Sequence, residues 1–416
     1  MINRGQLQLS RRYRQLHRIW RAEGSQGVGQ RVRAAAARWL TPKDAVLPVR
    51  PADVVAADLS RPFRPVVPQA APDQSMFVNW VTTPAAPGSG GHTTLYRIIR
   101  SLAARGYVNR VYFYDVHHTD LRYHESVLRR SYAFNGEVCS VDDGMQDAHA
   151  VVATSWATAY PVFNARCTGK RFYFVQDFEP YFYPVGALSA LAENTYRMGL
   201  HAITAGRWLA EKLRADFSME ADHFEFGCDT SRYARNPNSA RSGVTFYARP
   251  EAARRGFELG VMALEIFAAR QPDIKIDLYG EDLGRLPFAC IQHGHVTPDQ
   301  LNDIYNACYA GLSLSLTNVS LVPHEMLAAG CIPVVNDAVH NRMVLKNECV
   351  RYAALAPHDL ASALEAVVTT DDFDSVSRAA AARVHSASWD GAGAAGRDAR
   401  GGSCARRGRS RRRRSR

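Results

Sequence analysis

The sequence lacks the features that define several common classes of protein. Its eight cysteines include no C-x-x-C pair, so we predict reduced, buried thiols and neither a disulfide framework nor a zinc site. No apolar run approaches the roughly 20 residues that a membrane-spanning helix needs. The N-terminus is charged but has no apolar segment of the secretory-signal type. Together these absences predict a cytoplasmic protein.

Basic charge is concentrated at the two ends of the chain. The net charge is +11, but residues 1–50 carry 11 Lys and Arg against two acids, and residues 391–416 carry ten Arg against one Asp. The body between them holds 30 basic and 37 acidic side chains. Because that body is mildly acidic, a nucleic-acid-binding core is disfavoured, and we predict no nucleic-acid partner.

The ends also differ from the body in composition. Residues 1–50 form a basic extension in which Arg alternates with Leu, Ile, Val and Trp. This predicts two short amphipathic helices that suit either an anionic membrane surface or packing on the body as a solvated arm. Residues 51–75, rich in Pro and Ala, are predicted to form a linker or strap with little structure of its own. Residues 391–416 contain no Leu, Ile, Val, Phe, Tyr or Trp, which predicts a disordered Arg-rich tail.

The body consists of two series of β/α units. Short apolar segments alternate with amphipathic helical segments, which is typical of an α/β protein with parallel sheets. The first series covers residues 76–235 and the second covers residues 236–390. The predicted strands are 77–81, 110–116, 148–154, 171–176 and 201–204 in the first series, and 243–247, 274–280, 290–296, 312–316 and 331–335 in the second.

The segment 311–337 places polar residues where a ligand would bind. Pro323 is predicted to open a helix and Gly330 to close it. Free N–H groups at such a helix start form an anion site at the carboxyl edge of a sheet, and Glu325 in the first turn faces the same crevice. The alternative for Glu325 is an ordinary first-turn carboxylate favoured by the helix dipole.

A glycine-rich turn follows the first predicted strand. Gly90 and Gly91 precede a predicted helix and would let the backbone approach a ligand there, although the spacing is not that of a dinucleotide fold. His92 follows directly. It either contacts substrate or is simply a neighbour of the helix N-cap.

The segment 176–184 combines two carboxylates with four aromatic residues. Asp177 and Glu179 follow a predicted buried strand, and carboxylates with aromatic rings suit a carbohydrate, whose hydroxyls donate and whose C–H faces are apolar. The alternative is an aromatic loop that packs on the core. We favour contact with an acceptor glycan.

Several of these segments resemble the retaining glycosyltransferases of family 4. Arg249 and Arg255, followed by Gly, have the spacing of the Arg and Lys that grip the donor diphosphate in that family. Glu325 matches the second Glu of the family signature, whereas Thr317 occupies the position of the first Glu, and residues 318–320 replace a Gly-rich turn. This departure, with the QDFEP segment that begins at Gln176, resembles the rhamnosyltransferases of rhamnan and S-layer glycan synthesis.

The resemblance implies a GT-B fold, in which two Rossmann-like domains face each other across a cleft, with a boundary near residue 235. It implies that Arg249 and Arg255 bind the diphosphate, that Glu325 binds the ribose and that His92 lines the cleft. The residues it implies for donor binding are Gly90, Gly91, Val296, Thr317, Asn318, Ser320 and Leu321. Asp177 and Glu179 would face the acceptor.

The implied reaction is transfer of a sugar, with retention and without a metal or other cofactor, in cell-surface polysaccharide synthesis. The implied donor is dTDP-rhamnose, with UDP- or GDP-linked sugars as alternatives, and the acceptor is a glycan or lipid-linked glycan. A cytoplasmic protein, peripheral on the inner face of the membrane, would fit this role. Two alternatives remain: a catalytically inactive GT-B protein that binds nucleotide sugar or serves as a scaffold, and a GT-B epimerase.

Overall fold

The computed structural model describes residues 47–69, 74–85, 89–225, 227–281 and 283–384. The predicted N-terminal helices, the Arg-rich tail and the end of the last predicted helix lie outside these residues. The chain divides into two compact units. Residues 52–115 and 119–416 contain both sheets, and the described part of the other unit is limited to residues 47–51 and 116–118.

The first sheet has seven parallel strands in the order β3-β2-β1-β4-β5-β6-β7. Its strands are β1 (Phe77–Thr82), β2 (Val108–Phe113), β3 (Glu137–Ser140), β4 (Ala150–Ala153), β5 (Lys170–Val175), β6 (His201–Ala205) and β7 (Ala221–Phe224). The associated helices are α1 (Pro51–Ala56), α2 (Gly90–Ala103), α3 (Leu121–Tyr132), α4 (Trp156–Asn164), α5 (Ala187–Asn194) and α6 (Arg207–Phe217). Strands β1 and β4 are buried almost throughout, as expected for central strands covered by helices.

The second sheet has six parallel strands in the order β10-β9-β8-β11-β12-β13. Its strands are β8 (Gly243–Tyr247), β9 (Lys275–Tyr279), β10 (Ile291–Gln292), β11 (Cys308–Leu312), β12 (Ile332–Asn336) and β13 (Arg351–Ala353). The helices are α7 (Phe257–Arg270), α8 (Pro298–Ala307), α9 (Val322–Ala328), α10 (Val339–Val344), α11 (Pro357–Val368) and α12 (Phe373–Ala382). Two parallel sheets with interleaved helices give the α/β fold that the sequence predicts.

The segment predicted as a linker is a strap on the first sheet's domain. It begins with a short helix, α1, and its other described residues form neither helix nor strand. Asp53 accepts a hydrogen bond from the Tyr114 hydroxyl at 2.6 Å, and its carbonyl accepts one from Asn164 Nδ2 at 2.8 Å. Further along, the Gly169 N–H donates to the Val66 carbonyl at 2.8 Å. These bonds hold the segment along the surface.

Several predicted elements have different bounds, and three of them differ most. The strand predicted at 312–316 is β11, which ends at Leu312, because the Ser315 N–H donates to the Asn336 side chain at 2.9 Å instead of continuing the ladder. The sequence predicts a helix from Thr297 to Ala310, but helix α8 stops at Ala307 because β11 begins at Cys308. Strand β10 has only two residues where seven were predicted. Helices α3, α4, α5 and α10 and strand β3 were not predicted at all.

Candidate functional site

The two sheets meet at their carboxyl ends, which is where ligands bind in open α/β sheets. The turn after β11 contacts the segment after β5. The Thr317 hydroxyl donates to Asp177 Oδ1 at 2.7 Å, and the Phe178 N–H donates to the Thr317 carbonyl at 3.3 Å. The QDFEP segment of the first domain and the turn after β11 in the second domain therefore contact each other through polar groups.

Arg255 lies in this region with a neutral hydrogen-bond partner. It ends a 3-10 turn, Ala253–Arg255, and Gly256 follows with a positive φ of 59°, in contact with Leu314. Arg255 Nη1 donates to Ser315 Oγ at 2.8 Å. Burial lowers the pKa of the Arg255 guanidinium, and in the described part of the chain it forms no ion pair. Nearby Asp177 raises this pKa again but forms no ion pair with Arg255, so an anionic ligand would relieve the remaining cost of taking the cation out of water.

Arg249 lies at the same edge and is held by two groups. Its Nε forms an ion pair with Glu281 Oε1 at 2.7 Å, and its Nη1 donates to the Tyr247 hydroxyl at 3.1 Å. Glu281 follows β9, the neighbour of β8 in the sheet. A bound anion would have to share Arg249 with this carboxylate.

Glu325 lies in the first turn of α9, which begins at Val322 and has only seven residues. Burial raises the pKa of the Glu325 carboxyl to about 7; nearby Arg97 opposes this and Asp229 adds to it. Arg97 comes from α2 of the first domain and forms an ion pair with Asp229 at 3.2 Å. Among the described residues, none donates a side-chain hydrogen bond to the Glu325 carboxylate, which leaves it available for a ligand.

The glycine-rich turn and His92 belong to the first domain and face the contact between the carboxyl ends of the two sheets. Helix α2 begins at Gly90, where a Cβ would meet open space, and Gln176 Nε2 donates to the Gly91 carbonyl at 3.1 Å. The His92 ring lies 2.9 Å from Ser89 Oγ through Nδ1 and 3.5 Å from Thr82 Oγ1 through Nε2. Burial lowers the pKa of the His92 imidazole, so the neutral ring is favoured there.

Two of the residues predicted to bind the donor sugar have their side chains turned to the first domain. Thr317 and Asn318 are both buried. Asn318 Nδ2 donates to the Gln176 carbonyl at 2.7 Å and to the Ala205 carbonyl at 3.0 Å. The Thr317 hydroxyl and the Asn318 amide nitrogen thus donate to protein partners, and Asn318 Oδ1 is buried without a hydrogen-bond partner among the described residues. Because both side chains are buried, their predicted contacts with the sugar are not available in this structure. Ser320, Leu321 and Val296 are partly exposed, and their role in donor binding stays a prediction.

Glu179 does not face an acceptor, so that prediction is wrong. The side chain is buried; Oε2 accepts from the Trp156 N–H at 2.7 Å and Oε1 from the Tyr173 hydroxyl at 3.0 Å. Burial raises the pKa of the Glu179 carboxyl to about 8. Glu179 therefore stabilises the first turn of α4. Its carboxyl group, which follows the end of β5, accepts from a free N–H group of that helix and does not face a ligand.

Asp177 remains at the contact between the domains. Besides the bond from Thr317, its Oδ2 lies 3.8 Å from Arg254 Nε. The Arg254 guanidinium lies over the Phe182 ring at 4.9 Å, and the Tyr181 side chain beyond it is 57% exposed. An aromatic and charged surface of this kind is compatible with a glycan.

Sequence reasoning missed a group of buried polar residues beneath Arg255. Ser315 exchanges two 2.9 Å hydrogen bonds with the Asn336 amide, and His340 Nε2 lies 2.9 Å from the Ser315 carbonyl. Ser315 was counted as a strand position, which hid it. Asn336 ends an apolar strand, β12, and a polar residue at the carboxyl end of a buried strand is the signal that could have found it.

The other predicted features concern metals and membranes. Among the described residues, no group of three or more His, Cys, Asp or Glu side chains is arranged to hold a metal ion. In the same part of the chain, none of the helices is long and apolar enough to cross a membrane.

Two family models match the chain in order. The model described as WsaF, N-terminal domain, matches residues 120–205, and the model described as WsaF, C-terminal domain, matches residues 242–365. The O-antigen biosynthesis protein RfbC of Myxococcus xanthus is 33% identical over 251 residues, which cover 58% of this chain and 20% of RfbC. The chain thus spans about one fifth of the length of that relative.

Solved structures share the architecture. HepE of Anabaena, solved with UDP and glucose, matches with a TM-score of 0.60 at 14% identity, covering 78% of this chain and 99% of HepE. Sucrose-phosphate synthase of Thermosynechococcus elongatus matches with a TM-score of 0.59 at 12% identity, covering 78% of this chain and 98% of the synthase. At such identities the likeness establishes the fold alone.

Two parallel sheets with interleaved helices, a WsaF-domain match over each of them and these structural neighbours agree with one another. The chain has a GT-B fold, and it matches the N-terminal and C-terminal domain models of WsaF in that order along the chain.

Proposed function

We propose that this chain transfers a sugar from a nucleoside diphosphate donor to a carbohydrate acceptor, with retention, in the synthesis of a cell-surface polysaccharide. The observation that carries the proposal is Arg255. It is a partly buried guanidinium at the carboxyl edge of the second sheet, bonded to a neutral hydroxyl, near Asp177 but without an ion pair among the described residues. A diphosphate supplies the charge that such a group is missing.

Arg249 and Arg255 would act together on the leaving group. As the glycosidic bond to the donor breaks, negative charge develops on the departing diphosphate. Fixed cations that need no reorganisation stabilise that charge in the transition state. The two guanidinium groups would supply this stabilisation in place of a metal ion. Arg249 must share its charge with Glu281, so we assign the larger part to Arg255.

Glu325 would bind the ribose of the donor. An ionised carboxylate without protein donors accepts from vicinal hydroxyls, and Glu325 lies in α9 with Arg97 near it. The acceptor hydroxyl would attack from the side on which the diphosphate leaves, and a phosphate oxygen would take its proton. The acceptor oxygen thus forms the new bond and the leaving diphosphate carries away the acceptor proton, so no further side chain is needed as a base. Asp177 would orient the acceptor.

The sugar and the base are proposed from resemblance. HepE is solved with UDP-glucose, and RfbC is described as an O-antigen biosynthesis protein, which supports a nucleotide sugar and a polysaccharide product. The QDFEP segment and the absence of the first signature Glu favour dTDP-rhamnose over UDP- or GDP-linked donors. The acceptor would be a glycan or a lipid-linked glycan, and the N-terminal extension would bring the enzyme to an anionic membrane surface.

A second candidate is a nucleotide-sugar-binding scaffold without catalysis. Thr317 stands where the family signature has its first Glu, and its hydroxyl is engaged by Asp177. Such a protein would still use Arg255 for the diphosphate. It would bind donor nucleotide but transfer nothing.

The test is calorimetric titration of the full chain with dTDP, UDP and GDP, followed by an assay of sugar transfer. Replacing Arg255 by Ala should weaken binding of the preferred nucleotide about ten- to hundredfold, the value of one charge-assisted hydrogen bond or two. Arg270→Ala is the matched control, because Arg270 at the end of α7 pairs with Glu365 of α11 at 3.4 Å and both side chains are about one third exposed, at 37% and 33%. Absence of binding by all three nucleotides would contradict both candidates, and binding without transfer would favour the scaffold.

A further inference from the structure

Asn318 lies where the two domains touch, and its amide crosses from one to the other. It belongs to the turn after β11, yet Nδ2 donates to the carbonyls of Gln176 and Ala205 at 2.7 and 3.0 Å. These carbonyls lie at the carboxyl ends of β5 and β6, which are neighbours in the first sheet. Both amide protons are used, and the residue is 0% exposed.

The same residue is connected to Arg255 through one hydroxyl. Arg255 Nη1 donates to Ser315 Oγ at 2.8 Å, and Ser315 Oγ donates to the Asn318 carbonyl. Asn336 holds the Ser315 backbone from both sides. The Arg255 guanidinium is therefore two hydrogen bonds away from Asn318, and the Ser315 hydroxyl is the link between them. A shift of Asn318 would move Ser315 and Arg255 with it.

Other contacts flank Asn318 on both sides. The Thr317 hydroxyl donates to Asp177, and the His340 ring packs at 5.1 Å on Trp208 of α6. These contacts would remain if the Asn318 amide were removed. Removing the Asn318 amide should therefore allow the two domains to move relative to each other without unfolding either of them.

We propose that Asn318 is a positioning residue, which fixes the second domain, and Arg255 with it, against the carboxyl edge of the first sheet. The inference rests on the proposed function, because it takes Arg255 as the diphosphate ligand. It replaces the predicted contact of Asn318 with the donor sugar. The two substrates would be held by different domains, so a small change in the domain relation would separate the reacting atoms.

The experiment compares Asn318→Ala and Asn318→Asp with the wild-type chain. The Asp variant keeps the size of the side chain but presents an oxygen to two carbonyl oxygens, which repel it. Asn238→Ala is the matched control, because Asn238 is exposed in the second domain. Three quantities are measured on the full chain: the nucleotide Kd by calorimetry, kcat and the acceptor KM of transfer, and the radius of gyration by X-ray scattering.

For both variants we expect the nucleotide Kd to stay within about tenfold of the wild-type value, since Arg249, Arg255 and Glu325 all lie in the second domain. The value of kcat should fall about a hundredfold, as for a misplacement of about 1 Å, and the radius of gyration should rise. Retained nucleotide binding also shows that a variant is folded. If the Ala variant does not fold, Asn318→Ser replaces it in the experiment. Serine is smaller than asparagine and has no amide, so the same results are expected.

Two results would overturn the inference. One is a wild-type kcat and radius of gyration in both variants. The other is a loss of nucleotide affinity as large as that of Arg255→Ala at an unchanged radius, which would indicate direct contact with the donor. If the wild-type chain itself binds none of the nucleotides, it is the proposed function that has failed.

Discussion

At the residue scale, the site depends on charged groups that the fold keeps from ordinary partners. Arg255 is partly buried and donates to a hydroxyl. Glu325 is a carboxylate whose nearest charges, Arg97 and Asp229, are paired with each other at 3.2 Å. Groups with a shifted pKa in a cleft are candidates for ligand binding, because holding them there lowers the stability of the folded chain and no structural interaction offsets that cost.

Glu325 gives a prediction about pH. Its pKa is raised to about 7, so the carboxyl is protonated below pH 7 and ionised above it. Only the ionised form makes charge-assisted bonds with the ribose hydroxyls, which are stronger by about 1 kcal/mol. Nucleotide affinity should therefore rise between pH 6 and pH 8 by about fivefold more in the wild-type chain than in Glu325→Gln.

The measurement is calorimetry at several pH values on both proteins. The phosphate of the nucleotide also titrates in this range, and the Gln variant corrects for it because it keeps the phosphate and loses only the carboxyl. Identical pH profiles in the two proteins would show that Glu325 does not contact the nucleotide.

At the scale of single elements, Glu179 links strand β5 to helix α4. It accepts from the Trp156 N–H in the first turn of the helix and from the Tyr173 hydroxyl in the strand. The sequence places a carboxylate at the end of a buried strand but cannot say whether the carboxylate turns to the cleft or to the neighbouring helix. That choice depends on the position of Trp156, which is 23 residues away in the chain.

This buried carboxyl should make the stability depend on pH. Its pKa is about 8 in the folded chain against an ordinary value of 4.5, so the folded state binds more protons between these values. Stability is then fully present below about pH 4.5 and is lost as the pH rises towards 8, with a slope of up to about 1.4 kcal/mol per pH unit. Glu179→Gln should remove this slope, because an amide can accept from Trp156 and donate to Tyr173.

Urea unfolding at pH 5, 6, 7 and 8 checks the slope. Glu193→Gln is the control, since Glu193 forms an exposed pair with Arg197 on α5 and the adjoining turn. That variant should keep the wild-type slope. An equal slope in Glu179→Gln would mean that the buried carboxyl does not hold its proton.

At the scale of the whole molecule, the two sheets share their interior. Buried residues of both belong to one contiguous hydrophobic cluster, and polar bonds from Thr317 and Asn318 join the sheet edges. We therefore expect one cooperative unfolding transition in a calorimetric scan.

A nucleotide that binds only the folded chain should raise the midpoint of that transition. At a concentration of 100 times its Kd the stabilisation is about 2.7 kcal/mol. Arg255→Ala should lose most of this gain at the same concentration, and Arg270→Ala should keep it. Two separate transitions, of which the nucleotide moves only one, would contradict a shared interior.

The sequence by itself determined the local features of this protein. Apolar periodicity located most strands and helices, and turn residues such as Gly256 and Pro323 marked their ends, because these signals depend on neighbours within a few residues. The order of two β/α series, and the presence of Arg249, Arg255 and Glu325 after particular strands, followed from the same local patterns. Helices α3, α4, α5 and α10 and strand β3 were missed, although α3 carries the local signal of an Asp120 N-cap followed by an amphipathic pattern.

The tertiary structure decided which polar side chains meet a ligand and which meet the protein. Thr317 and Asn318 find their partners 140 and 142 residues away, and Glu179 is buried by a helix that precedes it. A hydrogen bond of that kind depends on how two sheets are placed, and the spacing of residues in one segment carries no information about it. The local pattern could therefore identify the carboxyl edges as the site, but only the packed chain could divide their polar residues into ligand contacts and structural bonds.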